Sequence, residues 1–326
     1  MPALSPEDAR LLPLEGKRIG NTNTARIPEE YLQLLLPSAT IHCWQQGQVY
    51  ILSQHIILGP YSLWIHDVIS NGEQHILPYV PHAFYTLHFL FESGLNVRLP
   101  DASPYHLAED TCNLFYLEPG ISQLPLEEDA KALSVNINIL PEYMPALTAD
   151  FPELNKRILQ NRTGYQVLNK QPFPVSALSR LLISKILTCR YLVTYAGVFL
   201  ERCCADLFRL FCRQYKGTIV ISPADNRKYD QVFDYMRNNP HLHFDLHDLC
   251  WKFRISETEM EAGFLAHFSI PIKECHHMLK MITAFDMIVQ QTYKPGEIAV
   301  KVGLSTEELI SEVEGFYGFK VAANGN

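Results

Sequence analysis

Two serines 49 residues apart, Ser256 and Ser305, open helical stretches in the same way, and this spaced repetition constrains the fold more than any other feature. Each serine is followed three residues later by a glutamate, Glu259 and Glu308. That is the capping-box pattern, which satisfies amide donors left without partners at a helix start. Each is also preceded by a short helical stretch and a tight turn. The first copy reads FDLHDLCWKF, with Leu246, Leu249, Cys250 and Phe253 on one face, then Arg254-Ile255-Ser256. The second reads GEIAVKV, then Gly303-Leu304-Ser305, where Gly303 tolerates the positive φ of a sharp turn. KYDQVFDYMRNN predicts a helix before the first copy, stopped by Asn239-Pro240, and a long helix from about Ile272 to Gln291 joins the copies. Helix, turn and capped helix, occurring twice, meet the requirement for placing two helices in successive major grooves.

The run Ile298-Ala299-Val300-Lys301-Val302-Gly303-Leu304-Ser305 resembles the I-A-x-x-V-G-F-S signature of AraC-type transcription regulators. Leu249-Cys250 and Ile255-Ser256 stand where that family has a Leu-Ala pair and an I-S turn, and Lys280, Ala284, Met287 and Ile288 occupy its linker-helix positions. The resemblance runs from Lys228 to Phe319. It implies a double helix-turn-helix domain over 224–320 and double-stranded DNA as a partner. It further implies contacts or supports from Lys252, Arg254, Ser256, Thr258 and Glu259 in the first unit, Lys280 in the linker helix, and Lys301, Ser305, Thr306, Glu308 and Ser311 in the second.

The charge of these segments opposes their shape. Ala262 and Glu312 stand where the family usually carries a basic residue, and Leu265-Ala266 replace a lysine pair. The tail from Lys320 to Asn326 replaces the family's terminal signature. From Asn226 to Asn326 ten Lys and Arg face fourteen Asp and Glu, a net of −4, within a chain whose net charge is −8. Affinity for nucleic acid rises with each neutralised phosphate, and carboxylates near the backbone are repelled. Two readings follow: a DNA-binding regulator controlled by a small-molecule effector, and an AraC-derived sensor or protein-interaction regulator without direct DNA affinity.

Ahead of this region the hydrophobic period changes near residue 150. Six β-rich runs, ATIHCWQQ, QVYILSQHIILG, YSLWIHDVIS, FYTLHFLFE, CNLFYLEPG and ALSVNINIL, are separated by Gly, Pro, Asn and Asp. They predict an antiparallel sandwich or barrel. VSALSRLLISKILTCRYL and VFLERCCADLFRLFCRQYKG then show helical spacing. This pair either covers the sheet or forms a dimer interface. The expected class is therefore α+β: a cupin-like, effector-binding barrel or sandwich over 21–145, a helical linker and dimerisation segment over 146–223, and the all-α helix-turn-helix domain. A homodimer is implied.

The β-rich part offers Trp44, Tyr50, Trp64 and Phe89 as candidate ligand-binding residues, since aromatic rings suit a planar effector. His42, His55, His66, His75 and His106 fall singly on different strands or loops, His82 and His88 lack the H-x-H spacing of a cupin metal centre, and no metal or other cofactor is expected. The cluster His241, His243 and His247 lacks a completing Cys or carboxylate. No Ser-His-Asp order, phosphate loop or paired-carboxylate motif is present, so an enzyme is not expected. The eight cysteines form no C-x-x-C pair, and several occupy apolar helical positions. They read as buried thiols of a reducing cytoplasm. No signal peptide or membrane span is expected from the sequence.

Overall fold

The computed structural model describes residues 10–13, 27, 29–46, 48–99, 103–160, 164–169, 171–216, 223–291 and 293–320. The start of the expected barrel, the loop over 217–222 and the tail after Lys320 lie outside the described residues. The chain divides into two compact units, one comprising 1–175 and 185–189 and the other 176–184 and 190–326. The segment 146–223, expected as a helical linker, is shared between them.

The first unit is built of antiparallel strands: β1 Arg10–Pro13, β2 Thr40–Gln46, β3 Val49–Leu58, β4 Tyr61–Ser70, β5 Gln74–Val80, β6 Phe84–Phe91 and β7 Leu95–Arg98. It continues with β8 Pro104–Leu107, β9 Thr111–Leu117, β10 Gly120–Ile121, β11 Leu124–Leu126 and β12 Lys131–Ile139. Helices α1 Met144–Leu147 and α2 Pro152–Gln160, and the two-residue strands β13 Gln166–Val167 and β14 Phe173–Pro174, complete it. The large sheet has the order β13-β9-β6-β12-β4-β3-β2, with β14 also on β9. All six sequence-predicted runs lie in this sheet as β2, β3, β4, β6, β9 and β12. A smaller sheet sets β5 beside β1, β10 and β11, and β7 pairs with β8. These pieces escape the periodicity because they are short, and β5 carries Pro78, which cannot donate to a ladder.

Strands β3, β4 and β6 are buried on both faces, departing from the apolar-in, polar-out alternation expected. Ser53, His55, Ser62, His66 and Thr86 are among the buried polar residues.

The second unit carries α3 Ala177–Leu187 in part, then α4 Val193–Lys216, α5 Pro223–Asn238, α6 Leu246–Phe253, α7 Glu257–Phe268, α8 Ile272–Gln290, α9 Pro295–Val302 and α10 Thr306–Tyr317. Shifting α6 and α7 by 49 residues gives the limits of α9 and α10 at both ends. The left-handed turns repeat at the same offset: Arg254 (φ 54°) and Gly303 (φ 66°), then Ser269 (φ 59°) and Gly318 (φ 70°). So does the buried set, with Leu249, Met260, Phe264 and Phe268 matched by Ile298, Leu309, Val313 and Tyr317.

Helix α4 is tied to this pair. The Arg202 guanidinium lies 3.6 Å from the Phe316 ring centroid, donates to the Phe316 carbonyl at 2.8 Å, and meets buried Asp206 at 2.9 Å. Phe199 stacks with Phe285, Tyr317 packs on Phe285, and Tyr191 donates to Asp286. The apolar stripe of α4, from Phe199 to Phe211, is buried within the single chain.

The two turns differ in their tolerance. A Cβ on Gly303 would lie 2.1 Å from the His241 carbonyl oxygen, so both conformation and space demand glycine. Gly303→Ala is expected to destabilise the helical unit by about 2 kcal/mol or more, and Arg254→Gly to gain up to about 1 kcal/mol by relieving a left-handed non-glycine residue. Urea denaturation of the two variants, which should move in opposite directions, checks this.

Candidate nucleic-acid interface and interior cavity

Helices α7 and α10 present their N-terminal turns to solvent, each capped by a serine, with the reciprocal glutamate bond formed at α10. Ser305 Oγ accepts from the Glu308 amide at 3.2 Å while Glu308 returns a carboxylate to the Ser305 amide at 2.8 Å. These bonds hold the Glu308 carboxyl below its ordinary pKa. In the first copy Ser256 Oγ accepts from the Glu259 amide at 3.3 Å, and the Glu259 carboxylate faces Lys228 Nζ at 3.7 Å. Both serines therefore support their helices.

Lys252, Arg254, Ser256, Thr258, Glu259, Lys301, Ser305, Thr306, Glu308 and Ser311 are all exposed. Lys252 Nζ lies 4.3 Å from the Tyr235 ring centroid, and Lys301 Nζ lies 4.7 Å from that of Tyr293, so each is steadied on an aromatic face. Lys280 differs from these residues in exposure. Its side chain is buried, 6% exposed, and burial lowers its pKa while nearby Glu312 opposes the shift. It lies among the buried residues of α8, the position of a support. Around the cations stand Glu257, Glu259, Glu261, Glu307 and Glu308, all exposed. Glu257 faces His247 at 3.4 Å and Glu312 faces His277 at 3.3 Å.

A pair of residues outside the sequence reading also marks this surface. Trp251 is 82% exposed and Val300 74%, and they stand at equivalent positions, 49 residues apart, just before Lys252 and Lys301. The repeat offset read from the serines was sufficient to align them.

The β unit holds a cavity of about 180 Å³ that is partly open to solvent. One wall is the inner face of the large sheet: His66 and Val68 from β4, Phe84, Thr86 and His88 from β6, and Ser134, Asn136 and Asn138 from β12. Phe115 and Leu117 from β9 continue that face, and Leu95, Tyr105, Leu107 and Leu124 contribute to the remaining wall. None of Trp44, Tyr50, Trp64 and Phe89 lines it, and strand geometry explains why. Phe89 follows His88 and points to the opposite face. Trp64 shares the face of His66 but sits farther along β4, stacked on His55 at 4.2 Å and donating to Ser62 at 3.0 Å. The Tyr50 hydroxyl meets Cys43 Sγ at 3.0 Å, and its ring faces Tyr31 at 5.2 Å. Trp44 packs on the hydrophobic cluster around Val49 and Ile51.

What the sequence scattered, the register collects. Cross-strand pairing places His55, Trp64, Asn136, His88 and Asn113 in one row. His42, Ser53, His66 and Ser134 form the next. Ser53 bonds His66 Nδ1 at 2.8 Å and Ser62 bonds His55 Nε2 at 2.9 Å. The hairpin centred on Gly59-Pro60 gives the pairing of His55 with Trp64 and of Ser53 with His66 from sequence. Pairing across β12 joins strands distant in sequence and leaves no such local sign. Among the described residues no group of three or more His, Cys, Asp or Glu is arranged to hold a metal.

Burial pushes the His66 pKa down to about 3, with neighbouring His88, His42 and His55 adding to the effect. Burial likewise lowers His88 to about 4, and lowers His55 to about 4 with help from His42. All three are neutral near pH 7.

No protein-family profile and no curated protein matches the chain. Among solved structures, a variant of apo ToxT from Vibrio cholerae is 11% identical, aligned over 79% of this chain and 94% of its own, with a TM-score of 0.33. The AraC-like transcriptional activator CuxR is 12% identical over 79% of this chain and 89% of its own, with a TM-score of 0.33. The C-terminal domain of the response regulator YesN from Fusobacterium nucleatum is 21% identical over 30% of this chain and 94% of its own, with a TM-score of 0.27. The chain's own order of parts is an antiparallel β unit followed by a duplicated helix, left-handed turn and capped helix.

The histidine layer makes the β unit acid-sensitive. Unfolded histidines take up protons near pH 6.5, whereas the folded ones do so only at about 4 and 3. Their stabilising contribution is complete above pH 6.5 and is lost as pH falls through that window. Between pH 7 and pH 5 each is expected to cost on the order of 1–2 kcal/mol. Urea midpoints at the two pH values, compared with those of non-titrating His66→Gln, should show a shallower pH slope in the variant.

Proposed function

We propose that the chain is a DNA-binding transcription regulator, controlled by a small-molecule effector held in the β unit and acting as a homodimer in the cytoplasm. The observation that carries this reading is the 49-residue duplication of helix, left-handed turn and capped helix. It supplies two exposed helices of one design on one packed frame. Lys252, Arg254 and Lys301, at the ends of the supporting helices and in the turn, are among the exposed cations available to phosphates, with Lys273 and Lys294. The exposed glutamates are suited to accept from cytosine N4 and offer no electrostatic anchor, so binding should be weak and selective rather than strong and general. Effector binding would shift the population between placements of two such helical units. In a dimer the exposed pair Leu192 and Val193, 70% and 65% accessible at the start of α4, is the apolar surface offered to a second copy. Eight buried thiols suit a reducing compartment.

A specific observation favours a second reading, that of a regulator which meets a protein instead of DNA. Trp251 and Val300 repeat as solvent-facing apolar groups beside glutamate-rich helices, a combination suited to a protein partner.

Selection from a random duplex library followed by gel shift at about 50 mM salt separates the two, because low salt favours every phosphate contact. The regulator reading expects enriched sequences. It further expects that Lys252→Ala and Lys301→Ala together weaken binding across sequences and reduce the salt slope by about two. Absence of any shift at that salt, with the protein folded, would remove the DNA-binding reading.

A further inference from the structure

We propose that the β-unit cavity takes an uncharged ligand with a body about the size of one ring, whose hydrogen-bonding head group is held by Thr86, His88, Asn136 and Asn138, and that it discriminates against carboxylates and ammonium ions. This rests on the reading of the cavity as the effector site and specifies the chemistry of what enters it.

Size sets the first limit. A volume of about 180 Å³ is close to that of apolar protein cavities of ~150 Å³ that accept benzene. Charge sets the second. The described lining residues include no Lys, Arg, Asp or Glu, so an ion entering the cavity meets no counter-charge. Its two histidines, His66 and His88, are neutral at ordinary pH because of burial. An ion stripped of water with no partner is disfavoured far more than a neutral polar group.

The third limit is the placement of the polar atoms. Thr86 Oγ1 and His88 Nδ1 are buried without a hydrogen-bond partner. Thr86 is only 5% exposed, and both residues lie on the cavity-facing side of β6, two residues apart. Directly across on β12 stand Asn138, paired with Thr86, and Asn136, paired with His88. Four groups able to donate or accept thus form a compact polar patch on a wall that His66 and Ser134 extend and Val68 and Phe115 continue. Buried polar atoms are normally satisfied, and a ligand head group that both donates and accepts would satisfy these.

Calorimetric titration of the full chain at pH 7 with benzamide, benzoate and benzylammonium tests this, since the three share a ring and differ mainly in charge. Benzamide is expected to bind at least about ten-fold more tightly than either ion. Thr86→Val, which keeps the shape and removes the hydroxyl, should weaken benzamide several-fold, and Ala132→Phe, which fills the cavity, should abolish its binding. Equal or tighter binding of an ion that Ala132→Phe removes would overturn the proposed ligand class while leaving the cavity as an effector site. Unchanged benzamide affinity in Thr86→Val would overturn the assigned head-group contacts. Failure of all three probes to bind folded protein at about 10 mM would overturn both the class and the effector-site reading. Should Ala132→Phe not fold, the order of the three probes on the unmodified chain still decides the class.

Discussion

The helical half depends on one close backbone approach, the Cα of Gly303 against the carbonyl of His241. His241 lies in the connection between α5 and α6, which leads into the first helix-turn-helix, whereas Gly303 is the turn of the second. The contact therefore fixes the second copy against the entrance of the first. Were that space filled, the two turns would have to separate, and the common frame for α7 and α10 would be lost. Arg254, at the equivalent point of the first copy, meets no such constraint. It adopts φ 54° at some conformational cost and leaves a guanidinium exposed at the start of the first recognition element. A residue placed against its conformational preference at an exposed, chemically suited position is consistent with selection for contact rather than for stability.

Around that frame, α4 is bound by chemistry of a different kind. Arg202 spends its guanidinium on an aromatic face, a carbonyl and a buried carboxylate at once, joining α4 to the end of α10. Burial raises the Asp206 pKa and the Arg202 charge opposes that rise, so the pair stands on mutual compensation. Tyr191, Phe199, Phe285 and Tyr317 extend the contact into α8. A helix so fully spent within the chain has little apolar surface left except Leu192 and Val193, which narrows where a second copy could engage it.

The helical half was legible in the sequence because its determinants are local. Capping serines, a turn glycine and the i, i+3, i+4 spacing each act over a few residues: the two serines gave the starts of α7 and α10, and α6, α8 and α9 were read to within two residues at each end. The role of Lys280 was not legible, since its burial depends on how α8 packs against both copies. The β unit divides in the same way. Its six long strands declared themselves by composition, yet which aromatic residues reach the cavity depends on strand parity and on pairings between β4, β12 and β6, strands far apart in sequence. Aromatic character pointed to Trp64 and Phe89, whereas register selected Thr86, His88 and Asn136.

Both halves share an economy of charge that bears on how they work together. Helices α7 and α10 carry glutamates at their exposed starts, where a strong DNA binder would carry lysines, so on the proposed reading affinity for a duplex draws on few phosphates, and shape and base contacts must supply more of it. Such a surface is sensitive to small changes in placement, because it has no large electrostatic reserve to absorb a lost contact. The cavity is likewise without ionic anchors, and a neutral ligand bound there delivers modest free energy. A modest input suffices only when the output equilibrium is itself finely balanced. On the proposed reading, a duplex-binding surface with few cations and an uncharged ligand site are matched in this sense, each contributing a modest free energy to a finely balanced equilibrium.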